Sequence, residues 1–473
     1  MKPVAEVTEE LITKALELIK GQGVQKSITS ASGFAGYDLQ PIAMLLQPVI
    51  TPFRNKFPRI APRAGALSAE WRYIASLVTA GVTDGTPSAE GAKGNALAYT
   101  AVPITAAFAE KALSDYVTWS AQDAARGFED DLKARAHTNL LYALMMVEEQ
   151  ALAFDRLTNL GAVTAPTVSA ATSGGAIVDG TYLVKCRAIT GTGDHTTTRG
   201  RISSQGTSGA ISGGNGTTNI LYAYTPWVEG AVGYEWYVND GNSGSVYYKQ
   251  ATTGVNCVVL TAAIVTTGAA PNIAAPADNV TNALGMNGLI SQLTAANGAY
   301  VKTLATDTTT GLGTDFVLSD IDAANKSVWD NAKANPGVIY MNSTQRARAT
   351  KLWLAANGGP TMFVQATSED MSGVTGGYLL SKYVNIATGR IQQIETHPYL
   401  PDGTMLALSD IIPFPTGGDM VGVDVVVSTD YRAIDYALTA NRYDFGVFCR
   451  EVLRVKFPGG AWVIRNAKSN AAA

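Results

Sequence analysis

Residues 120–161 read SAQDAARGFEDDLKARAHTNLLYALMMVEEQALAFDRLTNLG. Ser120, with Asp123 three residues on, has the form of a helix N-cap, and the next break is Gly161, so the spacing predicts one long helix. Phe128, Leu132, Ala136, Leu140, Leu144, Val147, Ala151 and Phe154 recur every three or four residues as a single apolar stripe. Glu129, Asp130, Asp131, Lys133 and Arg135 face elsewhere and read as a solvated face before a metal or acid/base site. His137, in the same helix, reads as a packing or surface residue before a ligand.

Beyond this helix the composition changes abruptly. From about Val163 to about Ala275 the chain is rich in Thr, Gly, Ser, Tyr and Val, which marks a separate β domain of a size suited to one sandwich. GTYLVKCRAIT (180–190), TNILYAYTPW (218–227), GYEWYVND (233–240) and SVYYKQ (245–250) are short strands between Gly-rich turns, with NDGNSGS (239–245) supplying a hairpin turn. In GYEWYVND, Tyr234, Trp236 and Val238 alternate with Glu235, Tyr237 and Asn239, which predicts an inner and an outer face. The domain reads as a stabilising or decorative knob; attachment to carbohydrate or a cell surface through exposed Tyr and Trp is the sharper alternative.

Upstream, TPFRNKFPRIAPRAGALSAEWRYI (51–74) carries Pro52, Pro58 and Pro62, read as forbidding helix, and puts Arg54, Lys56, Arg59 and Arg63 on an extended strip. Pairing with acidic residues of a neighbouring subunit is expected over nucleic-acid binding, because interleaved aromatic platforms are lacking. From Trp71 to Trp119 the sequence is β-like and poor in core residues, with a tip at GVTDGTPSAEGAKGN (81–95). A two-stranded excursion of that length must lie on something else. The first 50 residues combine an amphipathic helix, MKPVAEVTEELITKALELIKG, with a Gly/Ser stretch, and read as an arm without its own core.

After Pro276 the style is mixed α/β. LSDIDAANKSVWDNAK (318–333) reads as a capped helix, PGVIYMN (336–342) as a buried strand and STQRARATKLWLAAN (343–357) as a second helix. Strands follow in GRIQQIETHPYL (389–400) and MVGVDVVVSTD (420–430), with DIIPFP (410–415) as a surface loop between them. In CREVLRVKFPGGAWVIRN (449–466), Cys449, Glu451, Leu453, Val455 and Phe457 alternate with Arg450, Val452, Arg454 and Lys456. That is a half-buried strand, expected to return to the domain of the long helix.

Length and composition agree with a multidomain, self-associating chain. The 473 residues exceed one ordinary core; 46% are apolar and only 16% charged, with 47 Gly. A net charge of -4 argues against a strongly basic nucleic-acid binder. The amphipathic start is not a signal peptide, and no stretch reaches a membrane span, so a chain maturing in a cytoplasm and soluble until assembled is expected. Cys186, Cys257 and Cys449 form no C-x-x-C pair; packed free thiols are expected, with a Cys186–Cys257 bridge as the alternative.

Enzyme signatures are missing. There is no phosphate loop with Lys and Ser/Thr, no G-x-S-x-G and no H-E-x-x-H, while Gly311 and Gly313 in TTTGLGTD read as a turn. His137, His195 and His397 are scattered in the sequence. No catalytic, cofactor-binding or metal-binding residue is assigned, and no cofactor is expected.

An arm, a Pro/Arg stretch, a long coreless hairpin, a long helix, an α+β domain opened by D-x-x-N-K-x-V-W and G-V-I-Y-M-N, and a final E-V-L-R-V-K-F-P before A-W-V-I-R-N occur in that order. The order resembles the major capsid proteins of tailed bacteriophages with the Hong Kong 97-like fold, and the inserted strands resemble fibronectin type III and immunoglobulin-like modules. The resemblance implies an α+β subunit with an N-arm (1–50), an E-loop (51–119) and a peripheral domain with a spine helix (120–162, 276–335 and 440–473). It further implies an axial domain (336–439) and an inserted immunoglobulin-like sandwich (163–275). It implies self-assembly into hexamers and pentamers of a head shell around double-stranded DNA, touched only weakly, with a separate scaffolding protein and a portal as partners. Two departures stand out: the N-terminal helix is too short for a cleaved scaffolding region, and nothing around Lys93 in the loop tip marks it as a cross-linking lysine. The competing reading is a tail or surface-adhesion protein whose sandwich binds glycans.

Overall fold

The computed structural model describes residues 49–77, 90–91, 99–125, 132–157, 160, 163–189, 203–211, 216–228, 230–241, 246–266, 285–305, 316–356, 380–409, 412, 421–438 and 440–467. Residues 1–48 of the expected arm, the loop tip around Lys93 apart from residues 90–91, Phe128 to Asp131, His195, Gly311 with Gly313, and the prolines of DIIPFP lie outside them.

The described chain begins with a correction. Pro52–Lys56 is a short helix, α1, with proline in its first turn, where the missing N–H costs nothing. Strand β1 (Arg59–Ile60) follows, then β2 (Ser68–Leu77) and β3 (Tyr99–Ala107), which pair antiparallel as an isolated two-stranded sheet. The excursion is shorter than expected. Phe108 and Ala109 are buried in the main core and turn the chain out of the hairpin, so β4 (Ala109–Thr118) joins another sheet. At the hairpin root, Trp71 is buried and its Nε1–H donates to the Val455 carbonyl at 3.1 Å.

Helices α2 (Trp119–Ala125) and α3 (Leu132–Phe154) occupy the predicted long-helix segment. The stripe deepens along α3: Leu132, Ala136 and Leu140 are half-buried, whereas Leu144, Ala151 and Phe154 are buried.

The β-rich segment contains β5 (Thr167–Ala171), β6 (Gly180–Ile189), β7 (Gly206–Ile211), β8 (Ile220–Tyr224), β9 (Gly233–Val238), β10 (Tyr248–Thr253) and β11 (Cys257–Leu260). They form one four-stranded sheet, β10-β9-β6-β7, and one three-stranded sheet, β11-β8-β5, around a common core of Val184, Cys186, Leu221, Tyr234, Trp236 and Val258. The expected outer face of β9 is buried as well. Glu235 accepts from Arg187 Nε at 2.7 Å, Lys249 Nζ at 2.7 Å and Tyr237 OH at 2.6 Å, so these partners roof it over. Burial alone would raise the Glu235 carboxyl, but the hydrogen bonds from Lys249, Tyr237 and Arg187 outweigh it and hold the group at about 2. Cys186 and Cys257 are free and buried, as is Cys449.

The excursion that carries this module closes at its base. Asp155 Oδ2 accepts from Met286 N–H at 3.1 Å, and the Asp155 carbonyl accepts from Gly288 N–H at 2.7 Å and Ser291 Oγ–H at 2.6 Å. Leu157 N–H donates to Asn287 Oδ1 at 3.1 Å. The chain thus leaves and re-enters the body at one stitched point. Gly288 is needed there for space, since a Cβ would sit 2.6 Å from the Ala151 carbonyl oxygen.

Helix α4 (Leu289–Gln292), β12 (Tyr300–Thr303), α5 (Leu318–Ala332), β13 (Val338–Met341) and α6 (Ser343–Ala356) follow the expected alternation. Asp320 Oδ2 caps α5 by accepting the Val317 N–H at 2.9 Å. β14 (Lys382–Val384), β15 (Ile391–Thr396) and β16 (Met405–Leu408) then build a six-stranded sheet in the order β12-β19-β16-β13-β15-β14. Its C-terminal member, β19 (Trp462–Arg465), lies between β12 and β16. Both faces of this sheet are covered. Val338, Tyr340, Leu406 and Val463 meet the core that holds Phe53 and Phe154, while Ile339, Met341, Met405, Trp462 and Ile464 meet Ile321, Ala324 and Val328 of α5.

The remaining strands, β17 (Val423–Asp435) and β18 (Arg442–Val455), form a long antiparallel ribbon completed as β1-β17-β18-β4, against which α3 packs. Cys449, Glu451, Leu453 and Val455 are all buried, as the alternation of β18 requires.

Candidate functional site, a buried charge cluster under the spine of the fold

Two adjacent carboxylates on α3, Glu148 and Glu149, are fully buried and point to opposite tasks. Glu149 caps α1, whose N-cap residue Thr51 makes no side-chain cap. Glu149 Oε1 accepts from Phe53 N–H and Oε2 from Arg54 N–H, each at 2.8 Å, which satisfies donors that a helix start otherwise leaves open. His397, also fully buried, completes the unit: its Nδ1 accepts from Tyr399 N–H at 3.2 Å, which leaves Nε2–H to donate to Glu149 Oε1 at 2.6 Å. The imidazole also stacks on Phe53, with ring centroids 4.2 Å apart.

Glu148 faces the ribbon. Its Oε1 takes the Arg59 guanidinium, and Oε2 accepts from Arg54 Nε at 3.2 Å. Arg54 Nε also reaches the Tyr431 hydroxyl at 2.7 Å, and both guanidinium groups lie over the Tyr431 ring, 5.0 and 5.3 Å from its centroid. Glu451 of β18 puts a like charge close to Glu148. It is bound by Lys111 Nζ at 3.1 Å and lies 3.4 Å from Arg59 Nη1. Burial, then the like charge of Glu451, outweigh the pull of Arg59 and raise the Glu148 carboxyl to about 8. At neutral pH Glu148 therefore keeps its proton most of the time.

The cluster ties five separate elements together: α1, β1, α3, β4 and the β17–β18 ribbon. Its geometry holds charge and does not present it: the carboxylates and Lys111 are shut away from solvent, and nothing in it is arranged as a nucleophile beside a base. The expected partnering of the Pro/Arg strip with a neighbouring subunit is corrected here for Arg54 and Arg59, whose acids belong to the same chain. His137 is half-buried, stacks on Phe445 at 4.1 Å and faces Asp435 at 3.4 Å. Among the described residues no group of three or more His, Cys, Asp or Glu is placed to hold a metal ion, and no helix is long and apolar enough to cross a membrane.

Sequence reasoning passed over Glu148 and Glu149, although a signal was present. Glu148 stands four residues after Leu144 and three before Ala151, in register with the apolar stripe, and Glu451 stands between Cys449 and Leu453 on the buried face of β18. A carboxylate in phase with an apolar face must be buried with a partner.

With this architecture in hand, comparison with known proteins is decisive for one segment. Residues 262–410 match the SU10 major capsid protein family. On that match the chain is a subunit of an icosahedral phage head shell. The matched segment spans most of the six-stranded sheet with α5 and α6. Among solved structures, the chain is similar to the capsid of a native GTA particle (11% identity, 94% of this chain and 100% of that one, TM-score 0.45). It is also similar to the capsid of Myoviridae phage XM1 (7%, 93% and 100%, 0.43) and that of cyanophage P-SCSP1u (10%, 94% and 97%, 0.41). None of the curated proteins matches.

Proposed function

We propose that the chain is a major capsid protein of Hong Kong 97-like layout, whose copies close as hexamers and pentamers into a head shell around double-stranded DNA. The match of residues 262–410 to the SU10 major capsid protein carries this reading. In it, the β2–β3 hairpin is the E-loop, and α3 with the β1-β17-β18-β4 sheet is the peripheral domain. The six-stranded sheet with α5 and α6 is the axial domain, and residues 1–50 are the N-arm. The two-sheet module within 163–275 is an inserted immunoglobulin-like sandwich, in keeping with the stitched exit and entry at Asp155 and Gly288.

The subunit acts by holding shape and is not an enzyme. Its contact with DNA is weak and non-specific, in keeping with a net charge of -4 and with Arg54 and Arg59 already engaged inside the chain. A separate scaffolding protein and a portal are its partners during assembly in the host cytoplasm. The adhesin alternative loses much of its support, because Tyr234, Trp236 and Tyr237 are buried and offer no stacking platform to a glycan. Sedimentation velocity of the purified full-length chain, with and without a crowding agent, tests the proposal. Particles of hundreds of subunits are expected, and a stable trimer as the sole large species would overturn it.

A further inference from the structure

The β14–β15 hairpin has two unlike faces. On one, Tyr383 OH donates to Asp322 Oδ1 at 2.6 Å, and the Gln392 and Asn325 side-chain amides bond each other in both directions at 2.9 Å. Ile394 enters the core under α5. The turn is pinned as well: Asn385 N–H donates to the Arg390 carbonyl at 2.8 Å, its Oδ1 accepts from Ala387 N–H at 2.9 Å, and its Nδ2 donates to Asn335 Oδ1 at 3.1 Å. Gly389, at φ +72°, completes it.

The other face carries Val384 directly opposite Ile391 in the register, with Ile386 just beyond in the turn. They are 54%, 57% and 71% exposed. Three large aliphatic side chains on a rigid turn, at the edge strand of the six-stranded sheet, form a pre-organised contact and no part of this subunit's core. We propose that the Val384/Ile386/Ile391 tip is where one copy of this chain docks on the next copy within a ring.

Area and charge identify the occupant. A patch on the order of 300 Å², which buries about twice that over both partners, falls short of the roughly 1,200 Å² total of a specific pairwise interface, so it does not hold a lone partner and acts only when repeated around many copies. Lys382 and Arg390, both exposed, flank the tip. Two tips meeting about a two-fold axis would bring these like charges together, whereas a head-to-tail contact avoids this and closes rings. The inference rests on the shell reading and adds to it the surface that joins the subunits.

The test compares full-length wild-type protein with Ile386→Asp by sedimentation and electron microscopy over a range of concentrations, with circular dichroism and the melting temperature as folding controls. The variant is expected to fold normally and to need at least about tenfold more protein to assemble, since every copy carries the defect. Equal assembly of both proteins overturns the inference and leaves the shell reading standing; a stable wild-type trimer as the sole large species overturns the shell reading and removes the partner named here. A photo-crosslinker at position 386 gives an independent readout. Crosslinks between copies in assembled particles are expected, and crosslinks confined to a single chain refute the contact.

Discussion

Replacing Glu148 by Gln separates its hydrogen bonds from its charge. The amide oxygen keeps the bond from Arg59, and the amide NH2 takes the place of the second oxygen, so Arg54 Nε keeps only the Tyr431 hydroxyl, much as when Glu148 is protonated. Because the folded carboxyl is raised from 4.5 to about 8, the folded state binds this proton more tightly than the unfolded one. The stability it contributes is fully present below about pH 4.5 and is lost as pH rises through 8. A shift of that size sets an upper bound of about 5 kcal/mol on the loss. Glu148→Gln should therefore match the wild type within about 1 kcal/mol at pH 5 and grow more stable relative to it by several kcal/mol up to pH 8.5. Urea unfolding of disassembled subunits from pH 5 to 9 measures this, and the difference between the proteins cancels the slopes of other groups. Parallel pH profiles, or a Gln variant equally destabilised at both ends, would refute the reasoning. Glu148→Leu, which strips acceptors from two half-buried guanidinium groups, should cost about 3–5 kcal/mol at pH 5, and the cost should shrink as pH rises because the wild type itself loses stability.

Three further outcomes follow from the packing. Glu149→Ala leaves the Phe53, Arg54 and His397 donors without an acceptor and should destabilise the subunit by about 3 kcal/mol or more, seen as a lower melting temperature and faster proteolysis near residue 54. Gly288→Ala drives a Cβ against the Ala151 carbonyl and should cost about 1–3 kcal/mol, whereas Gly65→Ala, which meets nothing within 4 Å but has φ +77°, should cost about 1 kcal/mol from backbone strain alone. Cys186, Cys257 and Cys449 should resist maleimide in the native chain and all react in urea, as mass spectrometry would record; a native Cys186–Cys257 bridge would contradict the structure.

What could be read from the sequence was local. The α3 stripe, the capped helix from Leu318, the four buried residues of Val338–Met341 and the strands at Gly180 and Gly233 follow from periodicity and turn chemistry within a few residues. The failures are all long-range. Pro52, Pro58 and Pro62 look like an unbroken extended strip, yet α1 forms because Glu149, 96 residues away from Phe53, caps it. Glu235 and Tyr237 look like an outer face until Arg187 and Lys249 arrive from neighbouring strands. Trp462–Arg465 joins the six-stranded sheet because β12 and β16 wait on either side, and no local pattern encodes such a pairing. The charge cluster was half legible, since its acids stand in phase with apolar faces while their partners come from four other elements.

The most direct test is cryo-electron microscopy of the particles that the purified chain forms. The account predicts closed shells of hexamers and pentamers, with the β14–β15 tips at the ring contacts and the two-sheet module standing on each subunit as a separate knob. Stable trimers or fibres, with no ring of six or five copies, would contradict it.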